Sequence, residues 1–141
     1  MTSGQDRLEG YRRSLEAYHV PVDERLIVHG DYTEAGGRLA VQRLLPAAPT
    51  AIFVASDSMA VGALQGLRQA GRRVPDDVAL VGFDDIPVAT AVEPRLTTVR
   101  QPIARLGELT VDVLVGLLQG LPAATTPAQR MILPTELVVR E

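Results

Sequence analysis

Ala79-Leu80-Val81-Gly82-Phe83-Asp84-Asp85-Ile86-Pro87 is an apolar run that stops at a glycine, an aromatic and two adjacent carboxylates. Apolar residues without polar alternation suit a strand buried on both faces, as in a parallel sheet covered by helices. In open α/β sheets, ligands bind beyond the carboxyl ends of the strands, and Asp84 stands at such an end. An aspartate pair can equally solvate a loop or cap a turn. The segments on either side decide between these readings.

Working back from this run, Pro75-Asp76-Asp77 turns the chain into it, and Gly71 fits the left-handed cap of a preceding helix. That helix opens at Ser56-Asp57-Ser58 and carries Ala60, Val61, Leu64 and Leu67 on its apolar face, behind a second buried strand at residues 51–55. Thr33 is placed as the N-cap of an earlier helix with Leu39, Ala40, Leu44 and Leu45 inward and Pro46 closing it. Gly36 and Gly37 inside it each cost about 1 kcal/mol relative to alanine. They point to close packing on a neighbour, or to an irregular first turn. A short strand is expected at Leu26-Ile27-Val28. Before it, Leu8, Tyr11, Leu15 and Tyr18 mark a helix over residues 6–19 that ends ahead of Pro21.

Working forward, residues 86–94 read as irregular and 96–100 as extended. Pro102 suits the first position of a long helix striped by Ile103, Leu106, Thr110, Val113, Leu114 and Leu117. Gly120-Leu121-Pro122 ends it, and a polar loop over 123–129 follows. A last strand is expected around residues 131–133 and 137–139, and Pro134 within it marks an edge or a break. Alternating strands and helices predict an α/β fold with a doubly wound parallel sheet.

The chain has 141 residues, which suits one domain or one lobe of a larger protein. Hydrophobic residues reach 46% but aromatics only 4%, so aliphatic side chains must pack the core. With 14 Lys+Arg against 17 Asp+Glu, the net charge of −3 gives no electrostatic footprint for nucleic acid. There is no cysteine, no apolar run of the roughly 20 residues that span a bilayer, and no basic-then-apolar leader. A cytoplasmic protein is expected. His19 and His29 lie on different elements without helical metal-ligand spacing. Ser56 and Ser58 lack a Gly-x-Ser-x-Gly elbow, and the glycines at 62 and 66 fall inside a helix. The chain contains no lysine, hence no P-loop. These absences argue for a binder without cofactor or metal rather than an enzyme.

The polar residues left over collect at strand ends and helix starts: Arg7, Tyr32, Ser56, Asp57 and Asp84. Arginine offers a rigid fork of donors and aspartate paired acceptors, a match for vicinal hydroxyls. A tyrosine ring can stack on an apolar sugar face. Each has a plainer alternative: Arg7 as a surface charge, Tyr32 as packing, Asp57 as a helix cap.

Several runs carry a resemblance. They are Ala55-Ser56-Asp57-Ser58-Met59-Ala60-Val61-Gly62-Ala63, Gly71-Arg72-Arg73-Val74-Pro75-Asp76-Asp77-Val78, Val81-Gly82-Phe83-Asp84-Asp85, and Pro94-Arg95-Leu96-Thr97-Thr98-Val99-Arg100-Gln101-Pro102. With Arg7-Leu8-Glu9-Gly10-Tyr11 and Gly30-Asp31-Tyr32-Thr33, the ordered series resembles the LacI/GalR family of bacterial transcriptional regulators. The resemblance implies a type I periplasmic-binding-protein-like lobe, incomplete, from a protein that holds a small effector, a sugar in family terms, between two lobes. It implies Arg7 and Asp84 as the hydroxyl-binding pair, Tyr32 as the cleft aromatic, and Ser56, Asp57 and Gln101 as further effector contacts. Asp85 is left as a solvated neighbour. Met59, Val61, Leu64 and Val92 resemble a homodimer surface. Operator DNA would be met only through a domain outside this chain.

On the same pattern residues 6–100 and 130–141 belong mostly to a C-terminal lobe, while 101–120 form a helix that packs on an absent first lobe. The family pattern also puts a strand before the first helix, so a fragment or an internally started gene is expected. Roughly three lost hydrogen bonds at about 1 kcal/mol each would weaken effector binding by this chain alone about a hundredfold. A fragment of a periplasmic sugar-binding protein from an ABC importer is the alternative reading. The Val-Pro-Asp-Asp-Val and Leu-Thr-Thr-Val runs favour the regulator.

Overall fold

The computed structural model describes residues 3–119 and 131–140. Four strands form one sheet in the order β1 (Ala51–Phe53), β2 (Ala79–Asp84), β3 (Thr97–Arg100), β4 (Glu136–Val138). β1, β2 and β3 run parallel, with Ile52 opposite Leu80 and Gly82 opposite Thr98; β4 is antiparallel to β3. The mixed α/β sheet agrees with the expected class, and β4 is the edge strand foreseen from Pro134.

Helix α1 spans Ser3–Ala17, α2 Glu34–Leu44, α3 Asp57–Gln69, α4 Val88–Ala91 and α5 Ile103–Leu118. α1 ends earlier than expected. His19 takes a positive φ of 57° and Val20 donates to the Leu15 carbonyl, so the chain turns before Pro21 is reached. Tyr18 consequently lies outside, 80% exposed. Gly71, at φ 69°, follows α3 in the left-handed conformation expected of it.

The core is built by α3 against the sheet and α2: Ala60, Ala63, Leu64 and Leu67 meet Ile52, Leu80, Leu96, Val41 and Leu44. α2 turns Gly37, Val41 and Leu44 inward. Leu39, expected inside, is half exposed because it sits a half-turn off that stripe. The glycines mark a very close helix approach. A Cβ on Gly37 would fall 2.9 Å from the Met59 Cα, and one on Gly62 only 2.6 Å from the Glu34 carbonyl carbon.

Three sequence expectations need correction. The segment at 26–28 is not a strand: Asp23 caps a 3-10 turn over Glu24–Leu26, and Ile27 and Val28 follow without joining the sheet. The segment at 131–133 also stays outside the sheet. β1 is not buried on both faces, since Ile52 is buried but Phe53 is 45% exposed. Among the described residues β1 pairs only with β2, and an apolar side chain at a sheet edge is covered on fewer sides. β2 alternates likewise, with Leu80 and Gly82 buried and Val81 and Phe83 half-buried.

α5 buries none of its residues; Ile103, Leu106, Val113, Leu114 and Leu117 are all 48–55% exposed. The expected end of this helix at 120–122 and the loop at 123–129 lie outside the described residues. No helix among the described residues is long and apolar enough to cross a membrane.

Candidate functional site at the carboxyl ends of the strands

Asp84 is the last residue of β2 and begins a turn in which two consecutive non-glycine residues hold positive φ, 116° at Asp84 and 60° at Asp85. Such conformations cost about 1–3 kcal/mol each and persist where the surroundings dictate them. Here they turn the Asp84 carboxylate toward α1 and the segment after β3. Its Oδ1 accepts from Gln101 Nε2 at 2.6 Å and lies 3.7 Å from Arg7 Nη2.

Arg7 is held on three sides. Its Nη1 donates to the Ala55 carbonyl, its guanidinium lies 3.9 Å above the Phe83 ring, and Asp84 faces it. Cation–π contact and a planar fork together fix the donors in direction. The Arg7 and Asp84 side chains are 15% and 24% exposed, so the pair is partly sheltered yet open to a ligand. The structure therefore brings Arg7, Asp84 and Gln101 into one cluster.

Tyr32 is set by its neighbours. Asp31 Oδ1 accepts the Thr33 amide at 3.0 Å and the Thr33 hydroxyl at 2.7 Å, while Thr33 caps α2 by accepting from Gly36 at 2.9 Å. The same Thr33 donors hold the Asp31 carboxyl below its ordinary range. This clamp leaves Tyr32 at φ 65° with its ring 45% exposed and its hydroxyl 3.5 Å from Ser3 Oγ.

Ser56 and Asp57 lie deeper. Ser56 is 5% exposed and its Oγ accepts the Met59 amide at 3.3 Å, as the N-cap of α3. Asp57 is fully buried. Its Oδ1 accepts the Thr98 hydroxyl at 2.6 Å and its Oδ2 the Ile86 amide at 3.0 Å. Burial pushes its carboxyl above the ordinary range, although the Thr98 and Ile86 hydrogen bonds pull the other way.

Asp85 is not the solvated neighbour expected from sequence. Its side chain is 8% exposed and pairs with Arg100 Nε and Arg140 Nη2, both at 2.6 Å. Burial raises its pKa, but the two arginines outweigh that and leave it below the ordinary value. Arg140 also donates to the Leu96 carbonyl and exchanges two hydrogen bonds with Thr97. Nothing in the local sequence pairs residue 85 with residue 140. Phe83 and Ala55 were missed because only the fold lays Arg7 of α1 on them, and Thr98 because only the parallel register sets it opposite Gly82.

Met59, Val61 and Leu64 are 5–7% exposed inside the core. They therefore have no surface to offer a second subunit, contrary to the dimer expectation. Their helix face is spent on α2 and the sheet. Val92 is half-buried against the same core. A cavity of about 630 Å³ opens beside the cluster, between β1, the 26–30 segment, α1 and α2. Arg7 and Tyr32 line it; Asp84 and Gln101 do not.

The model of the periplasmic binding protein-like domain matches residues 1–141. The chain belongs to that family. This periplasmic binding protein-like chain is 45% identical over 143 residues to the HTH-type transcriptional regulator CelR of Thermobifida fusca. The match covers 100% of the chain and 41% of that regulator. A solved CelR–cellobiose complex superposes with a TM-score of 0.92 at 43% identity, over 100% of this chain and 43% of that one. The lac repressor dimer bound to operator and the anti-inducer ONPF gives 0.84 at 34% identity, over 98% and 47%. The resemblance to LacI/GalR regulators drawn from the motifs holds. The chain spans about two fifths of the length of the relative it matches.

Proposed function

We propose that this chain is the effector-sensing part of a transcriptional regulator of the LacI/GalR kind, holding a carbohydrate through Arg7, Asp84 and Gln101. The carrying observation is the convergence of these three side chains around one carboxylate oxygen at the strand ends. A sugar hydroxyl is both donor and acceptor, and this cluster presents both roles within one partly sheltered patch. Tyr32 supplies an exposed ring nearby, and Ser56 a hydroxyl beneath. The bound cellobiose in the CelR relative supports a saccharide over other small polar ligands.

In this reading the effector's hydroxyls exchange with the Gln101 and Arg7 contacts of Asp84. The regulator then couples that exchange to DNA affinity as a linkage between two sites. A dimer is part of the proposal, supported by the dimeric lac repressor neighbour. Its surface on this chain must lie outside the buried face of α3.

A thermal-shift and calorimetric screen of the intact regulator against mono- and disaccharides tests the reading, with Asp84→Ala as control. One saccharide should raise the melting temperature of the parent and leave Asp84→Ala unmoved. Equal shifts in both proteins would refute the site.

A further inference from the structure

Ser56 already caps α3, so the carboxylate of Asp57 is free of that duty and does something else. It sits under the turn that follows β2. Oδ2 takes the Ile86 amide, and Oδ1 takes the Thr98 hydroxyl from β3. Gly82 makes the berth. A Cβ there would run into Asp57 Oδ1 and stand 3.3 Å from Thr98 Oγ1 and 3.4 Å from the Ala60 Cβ. α3, β2 and β3 thus enclose the carboxylate, and the Ile86 amide ties it to the turn after Asp84. That amide directly follows the two residues with positive φ, Asp84 and Asp85.

We propose that Asp57 is a positioning residue for the effector site, anchoring the Asp84–Asp85 turn from below so that the Asp84 carboxylate faces Arg7 and Gln101. A carboxylate accepts at both of its oxygens, here one from β3 and one from the turn, whereas an amide side chain accepts at one end only. Full burial removes competition from water. Asp57 does not touch the effector; it fixes the direction of the residue that does. The inference rests on the sugar-site reading for its functional meaning, but its geometry stands apart from it.

Two variants and two readouts test it. Asp57→Asn keeps the size while replacing one acceptor by a donor, and Thr98→Val removes the hydroxyl with little change of shape. In NMR spectra of the 141-residue chain, Asp57→Asn should speed Ile86 amide exchange about tenfold or more, as expected for a lost charge-assisted bond. Thr98→Val, which loosens the carboxylate but leaves the Ile86 bond itself, should speed it less. Both should also shift the Arg7 side-chain resonances that the Phe83 ring displaces. In the intact regulator, with cellobiose as probe, Asp57→Asn should weaken binding about tenfold in the parent. In an Asp84→Asn background it should weaken binding less than about twofold, because coupled residues are non-additive. General destabilisation would not give that pattern. Unchanged Ile86 exchange and Arg7 shifts in both variants, or multiplying effects in the double variant, would overturn the proposal. If the parent regulator does not bind cellobiose, the carbohydrate reading is weakened, while the spectra still decide whether Asp57 positions the turn.

Discussion

Replacing Gly62 by alanine tests how tightly α2 and α3 set the walls of the site. The new Cβ would lie 2.6 Å from the Glu34 carbonyl carbon and 2.9 Å from its Cα. Carbon atoms in ordinary contact lie about 3.5–4.0 Å apart, so the helices must separate by about 1 Å. The obstacle is backbone, which no rotamer change can clear, and the reciprocal contact of Gly37 with Met59 leaves no room to slide. Overpacking costs about 1–3 kcal/mol, and a backbone obstacle puts this site at the upper end. Alanine returns about 1 kcal/mol of helix propensity, for a net loss of about 2 kcal/mol. At this chain length that is about 6–8 °C in melting temperature. Gly10→Ala in α1 is the matched control, because its Cβ would meet nothing within 4 Å. The same substitution there should raise the melting temperature by about 3 °C. Differential scanning calorimetry of both variants checks the pair of signs. A Gly62→Ala protein melting at or above the parent would refute the reasoning about close helix approach.

The described surface leads to other outcomes. Asp85→Ala leaves the part-buried Arg140 without its carboxylate, and denaturant titration should show a loss of about 2 kcal/mol, discounted because Arg100 is half exposed. Asp57 has its pKa raised in the fold, mainly by burial, so the native state binds its proton more tightly than the unfolded chain does. Its contribution to stability is therefore present below the ordinary aspartate value and fades as pH rises through the folded value. Asp57→Asn should flatten the stability profile between about pH 4 and neutrality relative to the parent; an identical profile would count against the shift. Asp77, held to about 2 by Arg73, behaves with the opposite sign. Its stabilisation is present above the ordinary value and lost toward about pH 2, and Arg73→Ala, which keeps only the backbone donor of residue 73, should reduce that acid sensitivity. Finally, the exposed apolar stripe of α5 and the free edge of β1 should make this polypeptide self-associate. Sedimentation showing a clean monomer at micromolar concentration would contradict that.

Periodicity and end signals carried much of the fold. Thr33, Ser56 and Gly71 mark helix ends by local chemistry, and each does so in the structure. The run ending at Asp84 marks the end of β2 for the same local reason. What failed depends on the chain folding back on itself. Leu26-Ile27-Val28 has the composition of a strand, but a strand exists only by pairing, and no partner lies beside it among the described residues. Asp57 reads as a surface cap until Gly82 and Thr98 arrive from other strands to enclose it. Met59, Val61 and Leu64 share one stripe that suits a core and an interface equally. Only the close approach of α2, permitted by Gly37 and Gly62, decides for the core.

The clamp of Arg140 on Asp85 has a consequence in time. The two residues are 55 positions apart in the chain. At about 5–20 residues per second, the ribosome adds the second some 3–11 s after the first. Throughout that interval the turn at Asp84 lacks at least one of its two arginines, and both until Arg100 is added. The Asp84–Asp85 turn thus gains its full set of ionic contacts only after residue 140 has been added.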